Sequence, residues 1–187
     1  MRRSVALLVF LIILGIGAYF LFYSPGFLGK NDPGRQRGKI VDPADAEAEQ
    51  EVTVFFPNRD YIMTGNEALT RMLPVKRMIR HKQGELYFKV LEELRRPPEK
   101  EEFSTALRED IQVLGAGKDG TEVYIDFSSK NLHGGSLEET ILVEQIVKTM
   151  VGLEGVEKVR FLVEGETRES LMGHIGTEEP LTLEDVN

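Results

Sequence analysis

Hydrophobic and polar positions divide the chain into three stretches of different character. Residues Val5 to Tyr23, VALLVFLIILGIGAYFLFY, form nineteen positions without a charge. At a helical rise of about 1.5 Å per residue they reach about 28 Å, roughly the thickness of a bilayer core. A cleavable signal peptide would have a shorter apolar region, about 7–15 residues, closed by a small-residue site. Ile16 and Ala18 match such a site poorly, and Tyr19 to Tyr23 continue the apolar run beyond it. The pattern predicts an uncleaved transmembrane anchor over residues 1–24. Arg2 and Arg3 precede it and Lys30, Arg35, Arg37 and Lys39 follow, so charge bias leaves the orientation open. Residues 25–50, with three prolines, four glycines and the polar run DPADAEAEQE, lack a core-forming pattern and read as a flexible linker.

The third stretch, 51–187, alternates strand and helix patterns and is expected to be one domain. VTVFF, stopped by Pro57, has the β-branched and aromatic content of a strand. RMLPVKRMIRHK predicts a second extended segment, at a sheet edge because Pro74 cannot donate to a ladder. Leu86, Val90, Leu91 and Leu94 recur at helical spacing before Pro97 and Pro98. Residues 110–127, DIQVLGAGKDGTEVYIDF, predict a hairpin, with Ile111, Val113 and Leu114 on one strand, Val123, Ile125 and Phe127 on the next, and Asp119-Gly120 at the turn. SLEETILVEQIVKTMVG predicts the clearest helix. Ser136 and Glu139 have the spacing of a capping box. Leu137, Ile141, Val143, Ile146, Val147 and Met150 face the core, Glu144 and Lys148 pair on the wet side, and Gly152 sits at the left-handed C-terminal position. VEKVRFLVEG, ended by Gly165, is a further strand, and SLMGHI a short last one. The expectation is an α/β (α+β) two-layer sandwich: a mixed sheet of about four or five strands with two helices on one face.

Charge narrows the function. Residues 41–187 carry 17 basic and 30 acidic residues, a net −13. So acidic a domain does not suit nucleic acid, where phosphate neutralisation dominates. The chain has no cysteine, which excludes disulfides, thiolate catalysis, Cys-type zinc sites and thioether lipid anchoring.

One stretch, EVYIDFSSKNLHGGSLEE, holds the residue types of a nucleophilic site in Asp126, Ser128, Ser129 and His133. It lacks the G-x-S-x-G elbow, and a strand ending in a loop and a capped helix accounts for every one of these residues. Glu138 and Glu139 are adjacent and point apart on a helix, unlike the facing pair a glycosidase needs. His133 and His174 lack metal-ligand spacing. GAGKDG lacks the phosphate-loop pattern and leads into a strand. No catalytic residue, cofactor or metal is therefore expected. Arg71, Lys76, Arg77, Arg80 and Lys82 form a basic strip without an acid among them, suited to an acidic partner, lipid head groups or an anionic wall polymer, or else a charged face protecting an edge strand. Arg77, Arg80 and Lys82, with Ser128 and Asn131 of the loop after YIDF, are the candidate interaction residues.

The order of VTVFFPN, VYIDFSSKN with GGSLEE, QIVKTMVGLEGVEKVRFLVEG, and GHI near EPL resembles the GerM (GerMN) domain family of sporulation and spore-germination proteins across most of residues 51–181. The resemblance implies Asp126, Phe127, Ser128, Gly155, Val156, Gly165, Gly173 and His174 as fold-defining positions, beside the helix-start residues Ser136 and Glu139, and transfers no catalytic residue. It implies a membrane-anchored extracytoplasmic domain with its amino terminus inside, acting as a non-enzymatic binding or scaffold protein in the cell envelope. Its partners would be envelope or sporulation proteins, with peptidoglycan or a second copy as further possibilities. A peptidoglycan-binding or peptidoglycan-modifying protein is the alternative. The chain departs from some relatives in lacking a lipoprotein cysteine and in holding one copy of the domain.

Overall fold

The computed structural model describes residues 47–187, so the expected anchor and all but the last residues of the expected linker lie outside the described residues. The element order is β1 (Ala48–Pro57), α1 (Arg59–Thr64), β2 (Met72–His81), α2 (Leu86–Leu94), β3 (Val113–Asp119), β4 (Glu122–Phe127), α3 (Ser136–Val151) and β5 (Lys158–Val163). β1 starts at Ala48, so Ala48, Glu49 and Gln50 are strand rather than linker. Among the described residues no helix is long and apolar enough to cross a membrane.

The strands form two sheets, not the single sheet expected. β1 and β2 make an antiparallel pair, and β3-β4-β5 a mixed sheet with β3 antiparallel and β5 parallel to β4. One cause lies at the edge of β1 that α3 covers. The Phe55 N–H turns away from β2 and donates to Thr149 Oγ1 of α3 at 3.0 Å. A helix side chain thus occupies the place where a further strand would pair. α2 packs on β1, β2 and β3, and α3 packs on β1 and β5, so both helices bridge the two sheets.

Period-two alternation sets the inner faces. Val52, Val54 and Phe56 of β1, Val123, Ile125 and Phe127 of β4, and Val159, Phe161 and Val163 of β5 are buried. They meet Val90, Leu91 and Leu94 of α2 and the apolar residues of α3 in one core. Phe127 and Phe161 stack with ring centroids 6.3 Å apart. On the outer face of the three-stranded sheet a side chain at Gly117 would collide with Tyr124, whose hydroxyl lies 2.2 Å from where a Cβ would stand. The glycine lets the tyrosine ring lie across β3.

α3 departs most from its expected form. Its polar residues Glu139, Glu144, Gln145 and Thr149 are buried along with its apolar ones, while Leu137 is 51% exposed. Glu144 is on no wet side: it is 2% exposed and lies between Lys148 (2.9 Å) and Arg71 (2.8 Å). The helix starts one residue earlier than the Ser136 cap implies. Gly135 is the N-cap, and Glu138 accepts its N–H at 2.8 Å. Glu138 takes the box role because Glu139 is turned inward. At the other end Gly152 is right-handed, and Gly155 carries the positive φ of 70°. SLMGHI forms no strand. Ile111 lies ahead of β3, and Leu114 bulges outward at a register shift. α1, a helix of six residues capped by Asn58 and ended by left-handed Gly65, carries no buried residue and so left no apolar stripe to read.

Replacing Thr149 with valine keeps the shape but leaves the Phe55 N–H without its acceptor. A cost of about 1–3 kcal/mol is expected, the penalty of an unsatisfied buried donor. Urea unfolding measures it; a loss below a few tenths would show that water replaces the hydroxyl.

Candidate binding groove and its surroundings

The polar residues of EVYIDFSSKNLHGGSLEE have separate partners. Asp126 accepts the Gly165 N–H at 2.9 Å. Ser128 donates its hydroxyl to Glu164 Oε1 at 3.0 Å, and Ser129 donates both its N–H (2.8 Å) and its hydroxyl (3.1 Å) to the same oxygen. Glu164 holds a left-handed φ of 55°, and its own N–H reaches the Phe127 carbonyl. The His133 backbone carbonyl accepts from Arg108, and its side chain stays exposed. No hydroxyl is paired with a histidine, so the stretch lacks a nucleophile and its base. Among the described residues no three His, Asp or Glu side chains are grouped to hold a metal ion.

His174 and Gly173 belong to a loop fastened by Glu139. The fully buried carboxylate accepts the N–H groups of Leu171 (2.9 Å) and Met172 (2.8 Å) on one oxygen and of His174 (2.7 Å) on the other. The His174 ring lies 3.3 Å from the Gly134 carbonyl. Gly165 and Gly173 have φ values of 81° and 102° in the turns that follow β5.

The basic strip is largely neutralised within the domain. Lys76 meets Glu51 at 2.8 Å and Arg80 meets Glu49 at 3.2 Å, both across the β1-β2 pair. Arg77 faces α2 instead, 3.9 Å from Glu93, and donates to the Arg96 carbonyl. Arg71 is drawn to buried Glu144 and lies over the Tyr61 ring, 5.4 Å from its centroid. The Lys82 N–H donates to Glu85. Residues 71–82 show no acid in sequence because their acids stand on the neighbouring strand and helix.

Of the five expected interaction residues, Asn131 alone lines a groove of about 610 Å³. One wall is α2, with Phe88, Leu91, Arg95 and Arg96; the other is the segment from Glu109 to Val113; Lys130 and Asn131 complete the lining. Arg108 shapes this region by pairing with Asp110 (3.0 Å) and donating to the carbonyls of Asn131 and His133 (both 3.3 Å). Asn131 is left-handed, φ 62°, and donates to the Asp110 carbonyl. Arg95 donates to the Arg108 and Ile111 carbonyls, and burial lowers the pKa of its guanidinium. Arg95 and Lys130 were missed in the sequence because one ends an ordinary amphipathic helix and the other stands alone in a loop. Nothing local marks either as facing a groove.

Several carboxylates are held below their ordinary pKa. The Ser129 N–H, then the two serine hydroxyls, lower Glu164; the Arg160 guanidinium lowers Glu122; Arg108 lowers Asp110. A folded pKa depressed below the unfolded one adds stability above the unfolded value, and that stability is lost as pH falls through the folded value. Stability should therefore decline below the ordinary glutamate value of 4.5. Glu164→Gln, which keeps an acceptor without the charge, should flatten part of that decline in denaturation curves taken from pH 6 downward. A slope identical to the parent would remove Glu164 from the account. Separately, Glu139→Ala strands three N–H groups. It should cost about 3 kcal/mol or more and speed hydrogen exchange at Leu171, Met172 and His174 before the rest of the core.

Comparison with known proteins follows this geometry. The family model Germane, described as sporulation and spore germination, matches residues 53–169. The first GerMN domain of the sporulation protein GerM from Bacillus subtilis is similar in structure, with a TM-score of 0.57 at 14% identity, over 73% of this chain and 99% of that one. The tandem GerMN domains of the same protein give a TM-score of 0.52 at 19% identity, over 72% of this chain and 46% of that one. No curated protein sequence matches the chain.

Proposed function

Because the chain belongs to the Germane family, described as sporulation and spore germination, we propose that it is a non-enzymatic, membrane-anchored scaffold protein of the bacterial cell envelope, its domain extracytoplasmic and its contact with a partner made at the groove. One observation carries the reading: where charge and hydrogen-bonding capacity remain. The side chains of Asp126, Ser128 and Ser129, the residues closest to a catalytic set, all bind within the fold. The basic strip is paired or turned inward. The groove keeps an exposed lysine, a guanidinium facing it and an apolar wall, in the size range of ligand sites of about 300–1,000 Å³. The uncharged run from Val5 to Tyr23 supports the anchor. An anchored domain with a groove and, among the described residues, no assembled nucleophile or metal cluster suits holding a partner.

A photoactivatable residue at exposed Gln112, in the groove, should crosslink a discrete envelope protein in sporulating cells; the same residue at Lys118, outside the groove, should not. The purified full-length chain should release no soluble muropeptides from cell walls. Release that disappears in an Asp126→Ala or Ser128→Ala chain which still folds would overturn the reading in favour of a peptidoglycan-modifying enzyme.

A further inference from the structure

Resting on the assignment of the groove as the contact site, we propose that its ligand is a peptide segment bearing a carboxylate, held by Arg95 and Lys130 with its aliphatic part against Phe88. The argument starts from which charges of the groove are already matched. Arg96 pairs with Glu93 at 3.1 Å, Glu92 with Lys89 at 2.8 Å and Asp110 with Arg108 at 3.0 Å. Among the described residues neither Arg95 nor Lys130 makes an ion pair. Arg95 uses its two terminal nitrogens on main-chain carbonyls. A guanidinium has five N–H groups in a planar fork, so donors remain for a carboxylate. Lys130 is exposed and its ammonium is free to move.

The remaining lining selects among anions. Glu109 is exposed and acts on Arg95 through space together with Glu92 and Asp110, so Lys130 is the unmatched base of the groove among the described residues. A single carboxylate fits that balance, whereas a polyphosphate chain would bring repeated charges against Glu109. Phe88, 36% exposed, gives an apolar surface that an inorganic anion would leave uncovered. The opposite wall ends at Val113, where β3 begins, and among the described residues β3 pairs only with β4. An extended peptide therefore has unpaired strand-edge groups beside the groove.

The test uses the isotope-labelled full-length chain in detergent micelles, titrated by nuclear magnetic resonance with acetyl-Ala-Leu-Glu-Leu-amide, its glutamine counterpart and inorganic polyphosphate. The glutamate peptide should shift the amides of Phe88, Gln112, Lys130 and Asn131. The glutamine peptide should bind about tenfold or more weakly, the difference between a charge-assisted and a neutral hydrogen bond. Lys130→Glu, at an exposed loop position, should weaken the glutamate peptide about tenfold, and Lys118→Glu, on β3 beside Gly155, should not. Arg95→Lys should weaken it as well, with folding checked by the unchanged spectrum of the core. Equal binding of the two peptides, an unchanged affinity for a folded Lys130→Glu chain, or tighter binding of polyphosphate than of the glutamate peptide would overturn the proposal. If Gln112 still crosslinks an envelope protein while no peptide binds, the ligand class is wrong and the scaffold reading stands. If muropeptides are released while the glutamate peptide binds as expected, the reverse holds.

Discussion

The fold depends on how α3 satisfies four polar side chains inside a core. A buried polar group costs about 1–3 kcal/mol when left unpaired and contributes about 0.5–1.5 when paired. Each of these side chains escapes the penalty by holding a different part of the chain. Thr149 takes the edge of β1. Gln145 takes the Ala106 N–H at 2.9 Å. Glu144 takes Arg71, and Glu139 takes the main chain of residues 171–174. The hydrophobic effect brings the segments together without specifying their register. The hydrogen bonds add that specification, because a shift of any segment by one residue would bury a charge or an amide without a partner.

That arrangement explains why there are two sheets. A helix buried nearly all round needs a neighbour on every side. α3 has β1 on one side and β5 on another, and its Thr149 closes the edge along which β1 would otherwise extend. The small antiparallel pair is then left with an open edge at β2. Pro74 and the cross-strand pairs Lys76–Glu51 and Arg80–Glu49 lie there. Exposed pairs of this kind contribute about 0–1 kcal/mol each. Their effect is to cover an edge with matched charge, which discourages pairing with another chain.

What the sequence made legible follows from the range of each interaction. β1, β2, α2, the β3-β4 hairpin, α3 and β5 all appear where periodicity and turn residues place them, because those signals are local. The arrangement of strands into sheets was not legible, since it involves contacts between distant segments, among them the bond between Phe55 and Thr149, 94 residues apart. Glu139 and Glu144 were read as a cap and a surface residue because a glutamate on a helix is usually one or the other. Their true partners lie in segments far along the chain. Asp126, Ser128 and His174, expected as fold-defining positions, make hydrogen bonds within the fold, and Ser128, also an expected interaction residue, lies outside the groove lining. Of the expected interaction residues Asn131 lines the groove; Arg95 and Lys130 come to it through the apposition of α2 and the loop after β4.

The same accounting of partners separates structure from function in the site. A conspicuous cluster such as Asp126, Ser128 and Ser129 invites a chemical role, yet each member is held by a bond that the turn after β5 requires. A plain pair such as Arg95 and Lys130 invites none, yet neither makes a close ion pair among the described residues, Glu109, Glu92 and Asp110 reaching Arg95 only through space. Self-pairing would have been easy to supply at this groove, where Glu92 and Asp110 already stand but are taken by Lys89 and Arg108. An exposed Lys130 beside Arg95 and Phe88 is the feature of the groove on which the proposal of a carboxylate ligand rests.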